Sequence, residues 1–183
     1  MRIPRAFRNQ LDVKVRICWR ANRDGFRYPA GNAPRTAVLG SWFREAGNVR
    51  SFRGWTAEAE SYAPEVIVAT LAQLQDLAAA RAASPTRAVI AIAKPGAALL
   101  TSADREALWR AFHVPVFEQI VGARGKVLAA ECEAHDGLHV DSAAVCAPGY
   151  ALDERTCACG LKSPRLAPVE QIERMRSVAA YAR

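Results

Sequence analysis

The sequence predicts an α/β fold: an open, mostly parallel mixed sheet with flanking helices, closed by a Cys/His-rich segment of zinc-knuckle type. Three observations carry that expectation. Short runs of Val, Ile and Ala recur at Val66–Ala69, Ala88–Ile92 and Val114–Phe117, and strands buried on both faces read as such unbroken apolar runs. The stretches between these runs return leucine and alanine at helical spacing. Finally, four of the five cysteines and two of the three histidines fall between Val114 and Leu166, a concentration of soft N and S donors that suits a tetrahedral metal.

In chain order, residues 1–55 form a basic, irregular lead-in. Val13, Val15, Ile17 and Trp19 alternate as in a strand, Gly25, Pro29, Gly31 and Pro34 break the chain into a loop, and Thr36 to Phe43 is expected as a second strand. This region should lie at an edge of the following domain. Residues 56–166 are expected to form the α/β core. Pro64 precedes the strand Val66–Ala69. Leu71, Leu74, Leu77 and Ala78 then predict a helix to Ala83, ended by Ser84-Pro85. Arg87 to Ala93 is the next strand and Lys94-Pro95-Gly96 a turn. Thr101 with Asp104 three residues on is a capping signal for a helix whose apolar face is Leu108, Ala111 and Phe112. A further strand begins at Val114. The alternation predicts β-α-β-α-β with right-handed crossovers and helices on both faces of the sheet. Residues 167–183 read as a C-terminal helix, with Pro168 in its first turn and Val169, Ile172 and Met175 on one side. Left exposed, that stripe would dock a protein partner.

A chain of 183 residues, 51% hydrophobic and 23% charged, can bury a sizeable core. No apolar run approaches the twenty or so residues of a membrane span, and Met1 to Arg8 lacks the apolar core of a secretory signal. The expected location is therefore cytoplasmic, away from membranes. Thiols stay reduced there, so an odd set of five cysteines points to metal binding or buried thiols, not disulfides. The net charge of +7 is concentrated before Arg53, where arginines interleave with Trp19, Phe26, Tyr28, Trp42 and Phe43. Such a surface could meet a nucleotide or CoA-like ligand, or nucleic acid. No recognisable nucleic-acid module accompanies it, so a solvated basic face is the plainer reading and nucleic acid is kept as an alternative.

The centre of the Cys/His segment, residues 131–160, is Glu131-Cys132-Glu133-Ala134-His135-Asp136-Gly137-Leu138-His139. The expected ligand set is Cys132, His139, Cys157 and Cys159, with Zn2+ as the cofactor: C-x-C offers two ligands from one tight turn, and Cys132 and His139 flank a single glycine-containing connection. Cys146 is the reserve ligand. The competing reading makes Cys132 a small core residue and the C-x-C pair an incidental loop. His135 is expected in a solvated turn, Cys18 as a buried free thiol, and Glu131 and Glu133 as partners accepting a hydrogen bond from a ligating histidine. Ser102, Ser142 and Ser163 lack the G-x-S-x-G context of a hydrolase. Lys94 falls where a parallel strand ends, the usual side for ligands in open α/β sheets.

The order of elements from Glu65, then Val116-Phe117-Glu118-Gln119-Ile120-Val121-Gly122, Leu128-Ala129-Ala130-Glu131-Cys132-Glu133 and Cys157-Ala158-Cys159-Gly160-Leu161-Lys162-Ser163-Pro164-Arg165-Leu166, resembles the phenylacetate-CoA ligase branch of the adenylate-forming enzymes over about residues 65–166. The resemblance implies a large-domain α/β fold and an acyl- or aryl-CoA ligase ancestry. It also implies what is missing. No T-S-G-T-T-G-type phosphate loop occurs, Gly122 stands where the family's Mg2+-holding Glu is expected, and the short stretch from His139 to Cys157 leaves no place for the ribose-binding Asp. Nor does a lid domain with a catalytic Lys follow Leu166. The expectation is a zinc-binding module acting as a binding or accessory protein, with no catalytic residue assigned. The alternatives are a ligase component that adenylates a carboxylic acid together with a partner chain, and a nucleic-acid-binding protein using the basic first third.

Overall fold

In the computed structural model, residues 20–21, 27–28, 34–40, 43, 45, 47–141 and 145–181 are described. The strand expected around Val13 to Trp19 and the thiol of Cys18 lie outside them. Two short strands, β1 (Arg20–Ala21) and β2 (Arg27–Tyr28), pair antiparallel. The remaining strands form one nine-stranded sheet, with order β10-β11-β9-β8-β7-β6-β5-β3-β4.

The first half of that sheet is parallel. β3 (Thr36–Leu39) lies between β4 (Val49–Phe52) and β5 (Val66–Ala69), followed by β6 (Ala88–Ala93) and β7 (Val116–Val121). The segment read as an edge structure thus supplies two strands to that edge, and β3 stops at Leu39, short of Phe43. β3, β5 and β7 are buried at every position, which is why they read as continuous apolar runs.

Three helices connect these strands. The short α1 (Ala57–Ser61) is capped by Thr56; five residues were too few to leave a periodic signal. α2 (Leu71–Ala80) carries a full capping box between Thr70 and Gln73, and α3 (Ser102–Phe112) carries another between Thr101 and Asp104. α2 ends three residues before Ala83 because Arg81 turns into the left-handed region at φ 48° and Ala82 N–H closes on the Leu77 carbonyl, a Schellman ending. Ala59, Leu74, Leu77, Leu108 and Phe112 all join one cluster with Ala37, Ile67, Val89 and Val116. The helices α1–α3 thus cover one face of the parallel half. A second cluster on the strands joins Val38, Val68, Ile90 and Phe117 with Phe43.

At β7 the sheet changes direction. β8 (Val127–Glu131), β9 (Leu138–Val140), β11 (Arg165–Pro168) and β10 (Tyr150–Asp153) continue it antiparallel, giving four parallel and four antiparallel pairings. Pro168 closes β11, and the last helix, α4 (Val169–Tyr181), starts one residue later. It packs on β10 and β11. Ile172 is buried, while Val169 and Met175 are exposed.

Two glycines test how tightly the antiparallel half is built. Gly137 sits at φ 95°, and a Cβ there would stand 2.4 Å from the Leu166 carbonyl oxygen on β11. Gly122 has an ordinary φ of −82°, and its added Cβ would meet only the mobile end of Leu128. Gly137→Ala should therefore lower the unfolding free energy by about 2–4 kcal/mol, through φ strain plus backbone displacement. Gly122→Ala should cost less than about 1 kcal/mol. Urea unfolding of both variants checks the contrast, and equal losses would contradict it.

Candidate metal centre

The antiparallel strands bring the expected ligands together. Cys132 follows the last residue of β8, His139 is the middle residue of β9, and Cys157 and Cys159 lie in the connection from β10 to β11. Their ligand atoms all fall within 4.8 Å of one another, with three of the four residues buried and Cys159 partly so. Cys132 Sγ is 3.6 Å from Cys157 Sγ, and Cys159 Sγ is 3.3 Å from His139 Nε2. Tetrahedral bonds of about 2.3 Å to sulfur and 2.0–2.1 Å to nitrogen would place such donors about 3.5–3.8 Å apart. This Cys3His group could hold a metal ion. Cys146 is exposed and outside the cluster.

The surroundings pull the thiols both ways: burial raises Cys132 and Cys159, while Cys157 is drawn down. Backbone N–H groups of Ala134, Cys159 and Leu161 donate to the sulfurs of Cys132, Cys157 and Cys159 in turn. Each such bond favours the charged form. Burial still pushes the Cys132 thiol up, with the neighbouring sulfurs adding to the rise. Against its own burial, Cys157 is drawn down by the Cys159 N–H, the adjacent sulfurs and Arg165. His139 shows Nε2 to the sulfurs because Nδ1 faces the hydroxyl of Ser163 at 2.9 Å and its carbonyl at 3.2 Å, the outer hydrogen bonding that fixes a ligating imidazole. A Gly160 residue at φ 82° lets the C-x-C turn close, with its N–H on the Cys157 carbonyl at 2.9 Å.

A buried ion-pair network braces the centre. Arg165 is almost wholly enclosed and holds Asp136 through its side chain and carbonyl, and Asp153 at 2.6 Å. Arg155 adds bonds of 2.8 Å to Asp153, whose carboxyl is pulled down to about 2 mainly by that contact. Gln171 of α4 donates to Asp136 at 2.7 Å. The network therefore links the β8–β9 connection, β10, β11 and α4. Sequence reasoning did not find it: Arg165 stood only inside a family-like motif, and Asp136 and Asp153 carried no local signal.

The glutamates behave differently from expectation. Glu131 serves no ligating histidine. It accepts from Arg105 Nη1 at 2.8 Å, from the Glu118 N–H at 3.0 Å, and pairs with His135 Nδ1 at 3.0 Å. Glu133 lies two residues beyond the end of β8. His135 does occupy a turn, half exposed and at φ 49°, yet its ring stacks on Phe117 at 4.9 Å. Glu118 is buried in the middle of β7, accepting from the Leu100 N–H at 2.8 Å and from Arg105 at 3.3 Å. Burial, opposed by those two contacts and assisted by Glu131, pushes its carboxyl up to about 7. The signal for it was present, as a glutamate interrupting an apolar strand run. Lys94 is exposed beyond the end of β6.

No family model matches the chain, and no curated protein matches it. Among solved structures, an open conformation of 2-hydroxyisobutyryl-CoA ligase in complex with 2-HIB-AMP and CoA is similar at a TM-score of 0.49 and 13% identity. The match covers 72% of this chain and 43% of that one, so the chain spans less than half of that ligase. No helix among the described residues is long and apolar enough to cross a membrane.

Glu118 yields a pH dependence with a definite sign. Its native carboxyl titrates near 7, whereas an unfolded glutamate titrates near 4.3. Between these values the native state binds more protons, so this residue makes stability fall as pH rises through the window. Glu118→Gln removes that slope. Relative to the parent, the variant should gain about 2–3 kcal/mol on moving from about pH 4.5 to about pH 8. Denaturant unfolding at the two pH values measures it, and an unchanged difference would show that Glu118 is ionised throughout.

Proposed function

We propose that the chain is a zinc-binding, non-catalytic module related to the phenylacetate-CoA ligase-like adenylate-forming enzymes, working as a binding or accessory protein. The observation that carries this reading is the convergence of Cys132, His139, Cys157 and Cys159 within one coordination radius, with an N–H donor aimed at each sulfur. Three thiolates and an imidazole form a closed set with no position left for substrate, the mark of a structural zinc site, and this donor softness selects zinc over hard cations. The ion would join the end of β8, the middle of β9 and the β10–β11 connection, segments separated by up to 27 residues. No T-S-G-T-T-G-type phosphate loop occurs in the sequence, and Gly122 offers no carboxylate where the family's Mg2+-holding Glu is expected. That combination favours a scaffold over an adenylating enzyme.

Elemental analysis of untagged protein purified without added metal should find about one zinc per chain. Cys159→Ser should lower zinc content and melting temperature together, whereas Cys146→Ser, remote from the cluster, should change neither. Chelation should first strip amide-exchange protection from residues 132–166, because metal binding there is folding free energy. Less than about a tenth of an equivalent of any transition metal would overturn the reading and leave the four residues as core thiols and an imidazole.

A further inference from the structure

A second site lies away from the metal. A cavity of about 560 Å³ opens between α3 and the antiparallel strands, lined by Leu100, Arg105, Trp109, Glu131, His135 and Tyr150 among others. Its size is that of a small-molecule pocket, and its mixture of aromatic walls with a few convergent polar groups is the usual composition of one. The charges at and just behind its wall do not balance: Arg105 and Glu131 line the cavity, and Glu118 lies behind them. One guanidinium, Arg105, faces two carboxylates, Glu118 and Glu131, each with a side chain only 3% exposed. The neighbouring Arg165 and Arg155 are already matched by Asp136 and Asp153. Once Glu118, whose carboxyl burial raises to about 7, has given up its proton, the two carboxylates outnumber the guanidinium by one.

From this geometry we infer that the cavity binds a small organic cation, a primary ammonium carried on an aromatic or apolar body. Glu131 supplies the anchor. Its two oxygens offer about four acceptor positions, of which Arg105, the Glu118 N–H and His135 take three, leaving one on the oxygen shared with His135. The cavity wall includes this residue. Trp109, 56% exposed, provides an indole at the rim for the cation or its ring. Tyr150, another wall residue, reports the same field: burial raises its phenol, and Glu118 and Glu131 raise it further against the lowering by Arg105. An anion of equal shape would meet the excess negative charge instead.

His135 is held as a fixed part of this wall. Its N–H bonds the Cys132 carbonyl at 3.0 Å, its ring lies 12° from the plane of Phe117, and Nδ1 is tied to Glu131. A left-handed histidine costs of order 1–3 kcal/mol unless the surroundings enforce it, and three contacts do so here. The inference goes beyond the metal reading and does not depend on it.

Three probes on one phenethyl body separate the possibilities: phenethylamine, 2-phenylethanol and 3-phenylpropanoate, titrated calorimetrically into the full chain at about pH 8, where Glu118 is mostly ionised. Zinc is assayed in the same sample, so a metal-free preparation is recognised independently. Phenethylamine should bind about tenfold or more tighter than the alcohol, and the carboxylate weakest. Trp109→Ala, an exposed position, should weaken the amine about fivefold with an unchanged melting temperature. Glu118→Gln, which cancels the net charge without altering the cavity wall, should collapse the amine-over-alcohol preference to within about twofold. Equal binding of all three probes, tighter binding of the carboxylate, no binding of the amine at millimolar concentration, or an amine preference that survives Glu118→Gln would each overturn the assignment.

Discussion

One rung of the sheet sets the geometry of everything chemical in this protein. Across β8, β9 and β11, Ala130 pairs with His139 and His139 with Arg165. That register brings an imidazole and a guanidinium side by side, both essentially buried. The imidazole turns one nitrogen to the sulfurs and the other to Ser163, while the guanidinium takes up Asp136 and Asp153. A slip of one residue would send each side chain to the opposite face. Gly137 protects the register from one end, because the backbone of Leu166 approaches so closely that no side chain can stand between them.

The sheet also divides by chemistry. In its parallel half, strands such as β5 and β3 bury only apolar groups and Thr36, so the backbone supplies the hydrogen bonds and the side chains supply the core. β7 is the boundary. It is parallel to β6 on one side and antiparallel to β8 on the other, and it carries Glu118 and Gln119 where its neighbours carry alanine and isoleucine. A carboxylate in such a position costs several kcal/mol unless hydrogen-bonded and paired. The Leu100 N–H and Arg105 offset part of that cost, and proton uptake near pH 7 offsets more.

Much of the parallel half was legible in the sequence, since its strands are short Val/Ile runs and its two longer helices announce themselves through the leucine spacing from Leu71 to Leu77 and through Thr101 with Asp104. Helix ends were less so. Nothing local in Arg81 foretells a left-handed residue, because tertiary packing selects the ending. The four Cys and His residues were legible from donor type and spacing. Their partners were not: Arg105 meets Glu131 across 26 residues and Arg165 meets Asp136 across 29, and such pairs acquire meaning only when strand order is known. His135 illustrates the gap well. It was correctly placed in a turn, but the stacking on Phe117 and the bond to Glu131 that make it part of a wall depend on β7 and β8 being neighbours.

The six residues from Cys132 to Gly137 connect the two sites. Cys132 at one end and His139 just beyond the other belong to the metal cluster. In the middle, His135 lines the cavity and Asp136 is gripped by Arg165 and Gln171. Fixing six residues costs several kcal/mol of backbone entropy, and whatever orders this connection at one site orders it for the other. An ion on the cysteines would hold both ends of this connection, whose middle is already held through Asp136 and His135. A metal held there would do more than tie strands together: it would fix both ends of the segment that carries His135 into the cavity wall.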